Sequence, residues 1–310
     1  MEENDLAVLI LAFNRPAKLE NLLKRLVFLG IKNVYLCCDG PRKDSHDDLD
    51  KIRQIRSVVN DQVQININAK WRKTNLGCKC SVINAVSWVL SENDAVIVIE
   101  DDCIPSVQFF PFMYKNLLSN LSEDVFAVSG SNLSTKNQII PSTEYFGIKT
   151  KYFHCWGWGI SKKNWLMIDF QCKFWTDFRN TPNFASICSN PGELRHWQRV
   201  FDDIALNHPD SWALPFLLNM WYQNKKAIVP SINLVSNLGF DSLATNTVKG
   251  QNINHVPDKH LKRLQYISNA VSDEIHDLNT FYQHFKGARE LFPMNLFYTP
   301  YRIFKKMLRS

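Results

Sequence analysis

The chain has 310 residues, 45% of them hydrophobic and 21% charged, with a net charge of +6. That length buries a substantial core, and the composition is that of a globular protein rather than a disordered or fibrous one. The positive charge is too small and too dispersed for nucleic-acid binding, which leaves phosphorylated ligands or an anionic membrane surface as charged partners.

Met1-Glu-Glu-Asn-Asp5 lacks the basic start and cleavage site of a signal peptide. No run reaches the ~18 apolar residues of a membrane span, so a cytoplasmic location is expected. Cys78 and Cys80 form Cys-x-Cys without a second pair at zinc spacing. The eight cysteines therefore read as buried free thiols rather than a disulfide framework.

The first 130 residues alternate strand and helix. Leu6–Ala12 reads as a buried strand. Asn14 is available as a cap and Pro16 suits a first helical turn. Leu19, Leu22, Leu23 and Leu26 repeat at helical spacing, and Gly30 closes that helix. Asn33–Cys38 is a second strand, ending at the turn Asp39-Gly40-Pro41-Arg42. A helix over Leu49–Asn60 and a strand over Val63–Asn68 follow. Trp71–Gly77 is a polar loop. Val82, Val86, Val89 and Leu90 mark the next helix.

The apolar run Ala95–Ile99 then predicts a strand buried on both faces, tipped by Glu100-Asp101-Asp102. A helix around Phe109–Leu121 and a strand Val125–Ser129 complete this half. Strands separated by helices imply a parallel sheet, which binds ligands at the carboxyl ends of its strands. Three adjacent carboxylates repel one another unless positive charge is bound there. Two readings stand: a cation site for a phosphorylated ligand, or a solvated acidic turn capping the next helix.

The second half is rich in aromatic residues and poor in obvious alternation. Tyr152–Ile160 packs two tryptophans and two glycines into nine residues. Glu193–Asn207 and Trp212–Asn224 read as helices, and Ala227–Pro230 as a short strand. Ser236–His255 is a long polar loop of the kind that covers a ligand. The tail Pro300–Ser310 interleaves Arg302, Lys305, Lys306 and Arg309 with Tyr301, Phe304 and Met307. It suits a membrane surface or an ordinary packed terminal helix.

The segments Leu9–Pro16, Cys38–Pro41, Asn75-Leu-Gly77, Glu100–Asp102, Cys155–Trp158, Asp210-Ser-Trp212 and Asn237–Phe240 occur in that order. In this they resemble the GT-A glycosyltransferases of bacterial surface-polysaccharide synthesis and, more distantly, N-acetylglucosaminyltransferase I. The resemblance covers roughly residues 5–250. It implies an α/β fold: a Rossmann-like mixed sheet flanked by helices, with a helical C-terminal extension. Residues 1–130 would form the nucleotide-sugar-binding half, 131–255 the acceptor-binding and catalytic half of the same domain, and 256–310 the extension.

The resemblance also implies a nucleotide-sugar donor, a glycan or lipid-linked acceptor, and Mn2+ or Mg2+ as cofactor. It makes Asp102 the metal ligand, with Glu100 and Asp101 on ribose or metal-bound water. Asn14, Arg15 and Asp39 would meet the nucleoside, with Asp39 on the base. Asp39 also reads as a turn residue, and Arg15 as a surface residue. Arg72, Lys73 and Asn75 would face the diphosphate, or form a solvated loop. Trp156, Gly157 and Trp158 would wall the sugar, or belong to an aromatic core. His154 reads as structural. Ser236–Thr247, which contains Asn237 and Gly239, would be the loop that closes over the donor.

Deprotonating an acceptor hydroxyl needs a base, and the resemblance places Asp210 in that role. Asp is also a favoured helix cap, and both roles can coexist. Asp202 and Asp203 are the fallback pair. A nucleotidyltransferase on a related sheet would carry a glycine-rich loop after the first strand, where Phe13-Asn-Arg-Pro-Ala17 has no glycine. A carbohydrate-binding protein without catalysis would need neither the acids nor Asp210.

Overall fold

In the computed structural model of the protein, residues 6–119, 123–134, 144–239, 258, 265–285 and 287–290 are described. The first half runs β1 (Ala7–Ala12), α1 (Pro16–Phe28), β2 (Asn33–Cys38), α2 (His46–Asn60), β3 (Asn66–Trp71), α3 (Gly77–Glu92) and β4 (Ala95–Glu100). β5 (Cys103–Pro105), α4 (Phe109–Ser119) and β6 (Val125–Ser129) follow. β1 pairs in parallel with β2 and β4, and β2 with β3, so four carboxyl ends open on one edge.

The second half contributes β7 (Glu144–Thr150), β8 (Trp158–Ser161), α5 (Lys162–Trp165), α6 (Trp175–Phe178), α7 (Pro182–Ile187), α8 (Pro191–Asn207) and α9 (Ala213–Tyr222). It ends with β9 (Lys226–Pro230), β10 (Val235–Asn237), β11 (Gln265–Ser272) and α10 (Glu274–Asn279). Nine strands form one sheet in the order β11-β7-β9-β6-β8-β4-β1-β2-β3. β8 runs antiparallel between β4 and β6, which makes the sheet mixed. The architecture is therefore α/β, a Rossmann-like mixed sheet flanked by helices.

Strand alternation divides the core between the two faces. Val8, Ile10, Ile97 and Ile99 pack with the α1 leucines and α4, while Leu9, Val96 and Val98 face α3, α8 and α9. Leu19, Leu22, Leu23 and Leu26 of α1 are buried as their spacing predicts. Among the described residues, no helix is long and apolar enough to cross a membrane.

Some sequence expectations shift. β3 begins at Asn66 rather than Val63, whose side chain is 89% exposed, because parallel pairing starts at Asn33 opposite Asn66. α1 is capped by Arg15 without a side-chain bond, and Asn14 instead donates to Asp48 at 2.8 Å. α9 starts at Ala213, with Trp212 as its cap. All eight cysteines are free, and Cys80 is exposed rather than buried. Most of the loop Ser236–His255 and all of the tail Pro300–Ser310 lie outside the described residues.

One small element matters for the site. β10 pairs antiparallel with β5, setting Asn237 opposite Cys103. This ribbon carries residues 237–239 back against the acids that end β4. Arg25 of α1 steadies it by donating from Nε to the Pro105 carbonyl at 2.7 Å and pairing with Asp258 at 2.7 Å.

Candidate functional site

The acids at the end of β4 lie among groups from three other segments. Asp101 N donates to the Leu11 carbonyl, continuing the β1–β4 pairing past the strand end. Arg15, on the turn after β1, reaches across: Nη1 is 2.7 Å from Asp102 Oδ2 and 3.2 Å from Asp101 Oδ1. The Phe13 amide also donates to Asp101, at 3.4 Å. From the β10 side, the Leu238 amide donates to the Asp102 carbonyl at 2.8 Å. Gly239 closes directly on the Asp102 carboxylate, and a Cβ there would lie 2.3 Å from Oδ2.

Among the described residues, the cation paired with this cluster is Arg15. Glu100 is pushed up to about 8 by burial and then by the charges of Asp102 and Asp101, with Arg15 opposing. Burial lifts Asp101 to about 6, again against Arg15. Three carboxylates facing one guanidinium, with a glycine where any side chain would fill the space beside Asp102, suit a hard divalent cation with oxygen ligands. Among the described residues, no three His, Cys, Asp or Glu side chains form a metal-binding group. A cation here would be held by one or two carboxylates, with phosphate and water oxygens completing its shell.

A second cluster lies at the N-terminus of α3. Asp39, at the end of β2, is buried and accepts from the Gly40 amide at 2.9 Å and the Leu76 amide at 3.1 Å. Burial raises its carboxyl above the ordinary value, and those amides oppose the shift. Asn75 braces the same turn, donating to the Gly40 carbonyl at 3.0 Å and accepting from the Gly77 amide at 3.1 Å. Lys73 is exposed on this loop.

Asp210 also arrives here. Its oxygens accept from the Cys78 amide at 2.8 Å and the Lys79 amide at 2.7 Å. It therefore caps α3, a distant helix, and not the helix that follows it. His208 ends α8 in the left-handed region (φ 42°), which turns the chain toward α3. Gly77 is required opposite Asp210: its φ is +77° and a Cβ would lie 2.8 Å from Oδ2. The two clusters are neighbours: the Cys78 thiol is pushed up to about 11 by burial and then by the charges of Glu100, Asp210 and Asp39.

Other expected site residues lie elsewhere. Trp158 is fully buried and stacked on Trp212 at 4.8 Å, so it is core and cannot wall a sugar. Gly157 makes room for the Phe109 ring, which a Cβ would approach to 2.7 Å, rather than for a ligand. Trp156 is half-buried, packed against the α1 side of the core. Asn14 is committed to Asp48, which Arg42 also grips through Nε at 2.7 Å and Nη2 at 2.9 Å. That buried network escaped sequence reasoning, because Asp48 lies in an ordinary helical first turn. His154 is buried against the His284 ring, and Asp202 is held by Arg179 at 2.8 Å. Both are structural.

No known protein family matches the sequence, and neither does any curated protein. Among solved structures, it is similar to the galactosyltransferase LgtC in complex with donor and acceptor sugar analogues. That match has 12% identity and a TM-score of 0.38, covering 84% of this chain and 100% of that one. It is also similar to a cytidylyltransferase from Leptospira borgpetersenii, at 12% identity and a TM-score of 0.33, over 66% of this chain and 72% of the other. A mannose-1-phosphate geranyltransferase from Thermus thermophilus shows 13% identity and a TM-score of 0.32, over 72% of each chain. Scores this low carry no functional argument, and the reading rests on the site itself.

Gly239→Ala drives a methyl into the Asp102 carboxylate. It should abolish ligand binding at the acids while shifting thermal stability little; retained affinity would contradict the close approach. Glu100 gives a pH signature. Its folded pKa lies above the unfolded value, so the native state holds a proton that the unfolded chain releases, and stability falls as pH rises from about 4.5 to about 8, levelling off above that. Glu100→Gln should therefore gain stability over the parent chain between about pH 5 and about pH 9 in urea titrations. Parallel profiles would refute the assignment.

Proposed function

We propose that the protein is an inverting, metal-dependent GT-A glycosyltransferase that moves a sugar from a UDP-sugar donor to a hydroxyl of a glycan acceptor. The observation that supports this best is the convergence, on one sheet edge, of the acids ending β4 and Asp39 ending β2, with Gly239 and Asp210 brought in from the second half. Open sheets bind nucleotides at such an edge.

In this reading Asp102 holds the cation, and Glu100 and Asp101 support ribose or metal-bound water. When bound, Mn2+ or Mg2+ neutralises the charge that builds on the departing diphosphate. Asp39 addresses the base and Trp156 the sugar. Asp210 takes the proton of the acceptor hydroxyl; each of its oxygens already accepts one amide and keeps a second lone pair for that contact. Inversion requires this base on the face opposite the leaving group, as in inverting glycosidases. Asn237 and Gly239 form the near end of a covering segment that keeps water from the donor. The acceptor is a growing, lipid-linked glycan of surface-polysaccharide or lipopolysaccharide synthesis.

The turn after β1 supports transfer over nucleotidyl chemistry. Phe13-Asn-Arg-Pro-Ala17 carries no glycine-rich phosphate cradle. A panel of nucleoside diphosphate sugars with manganese should yield hydrolysis or transfer with at least one donor. Turnover only with a nucleoside triphosphate and a sugar phosphate would overturn the reading. Asp210→Asn should keep donor KM and lose ~10²–10⁴-fold in kcat. The same change replaces one of the two accepting oxygens by an amide nitrogen, so one α3 amide loses its partner, which should cost about 1 kcal/mol of stability. A stability loss with near-parental kcat would leave Asp210 as a cap alone.

A further inference from the structure

Arg15 lies where a nucleoside contact is expected, but its guanidinium turns away into the acids. One nitrogen, Nη1, serves two carboxylates at 2.7 and 3.2 Å. The arginine side chain is 18% exposed, and those of Asp101 and Asp102 are 6% and 7% exposed. A single positive atom shared by two buried carboxylates stands in for a bound cation.

We propose that Arg15 is the resident counter-cation of the acid cluster and competes with the divalent cation for Asp102, so that metal loading frees the guanidinium to grip the diphosphate of the donor. This rests on the metal-site reading above and adds to it a linkage between metal and nucleotide.

The surroundings of Asp102 leave little room for sharing. Oδ2 takes Arg15 on one side and is closed by the Gly239 backbone on another. Among the described residues, Oδ1 meets the weak Cys103 thiol donor, at 3.6 Å. A divalent cation and a guanidinium in contact with the same oxygen repel each other, so they occupy it in alternation. The backbone around Arg15 is fixed: the Asn14 side chain is bound to Asp48, and Pro16 begins α1. Only the long side chain needs to swing, and it starts from the mouth of the sheet edge.

Once displaced, the planar fork matches phosphate oxygens bidentately. The scheme has two consequences. Metal alone binds weakly, because it must displace an ion pair. Metal with a nucleoside diphosphate binds cooperatively, because the phosphate offers Arg15 a new partner.

The test is titration of the full chain with Mn2+ alone, followed by electron paramagnetic resonance of the free ion. Arg15→Gln should bind manganese at least about tenfold more tightly than the parent chain, a typical coupling between competing ligands. Arg15→Lys should stay close to the parent, and Asp102→Asn should lose the site. Arg15→Gln should also melt lower without metal and recover more than the parent when manganese is added. Equal or weaker manganese binding by Arg15→Gln overturns the competition.

A measurement on the unmodified chain covers the case in which Arg15→Gln does not fold. Mg2+ alone should move the Arg15 Nε–Hε resonance, assigned with Arg15→Lys, toward that of a solvated arginine. A resonance that stays put while Mg2+ binds overturns the proposal. The two readings fail differently. If the parent chain binds manganese through Asp102 and Arg15→Gln binds it no better, only the competition fails. If neither chain binds manganese, the metal site itself fails.

Discussion

Three adjacent carboxylates at the end of one strand, two of them buried, create a demand for positive charge that the neighbouring segments answer. β4 is apolar through Ile99 and buried on both faces, so its continuation carries Glu100, Asp101 and Asp102 into the protein. Charge held there costs free energy unless it is paired or hydrogen-bonded. Arg15 supplies the positive charge, the Phe13 amide a hydrogen bond, and the β5–β10 ribbon a backbone wall. What remains uncompensated is expressed as the raised carboxyls of Glu100 and Asp101. The cluster is held by the fold but not satisfied by it, as suits a place that binds cationic charge.

The same logic explains the architecture on either side. α3 begins beside the acids, and its first amides need acceptors. Asp210 supplies them from the loop between α8 and α9, which ties the helical half of the chain to the carboxyl-end edge of the sheet. Asp39 holds the loop that leads into α3, so one buried carboxylate sets the shape of that turn. A base candidate fixed by a helix terminus is oriented without mobile side chains, at the cost of sharing its lone pairs with the backbone.

The sequence made the parallel half legible, because β1, β2 and β4 are buried on both faces and α1 keeps its leucines on one stripe. β3 slipped because Val63 looks like a strand residue but has no partner to bury it, and pairing register is not written in local propensity. The insertion of β8 between β4 and β6 was hidden for a related reason. Trp158-Gly-Ile-Ser161 is too short to show a period, and its tryptophan packs on Trp212, distant in the chain. Of the expected site, the acids and Gly239 meet. Trp158 and Gly157 turn inward because an aromatic pair packs core as readily as it stacks on sugar. Arg15 was legible as a site residue but not as the partner of Asp102, since a contact across 87 residues depends on tertiary placement alone.

Asp102 is the residue through which metal and nucleotide would bind in the proposed function. Isothermal titration of UDP into the parent chain and into Asp102→Ala, each with manganese and with chelator, tests this most directly. The account predicts that manganese strengthens UDP binding to the parent chain and makes no difference to Asp102→Ala. Binding by Asp102→Ala that still responds to manganese as the parent does would contradict it.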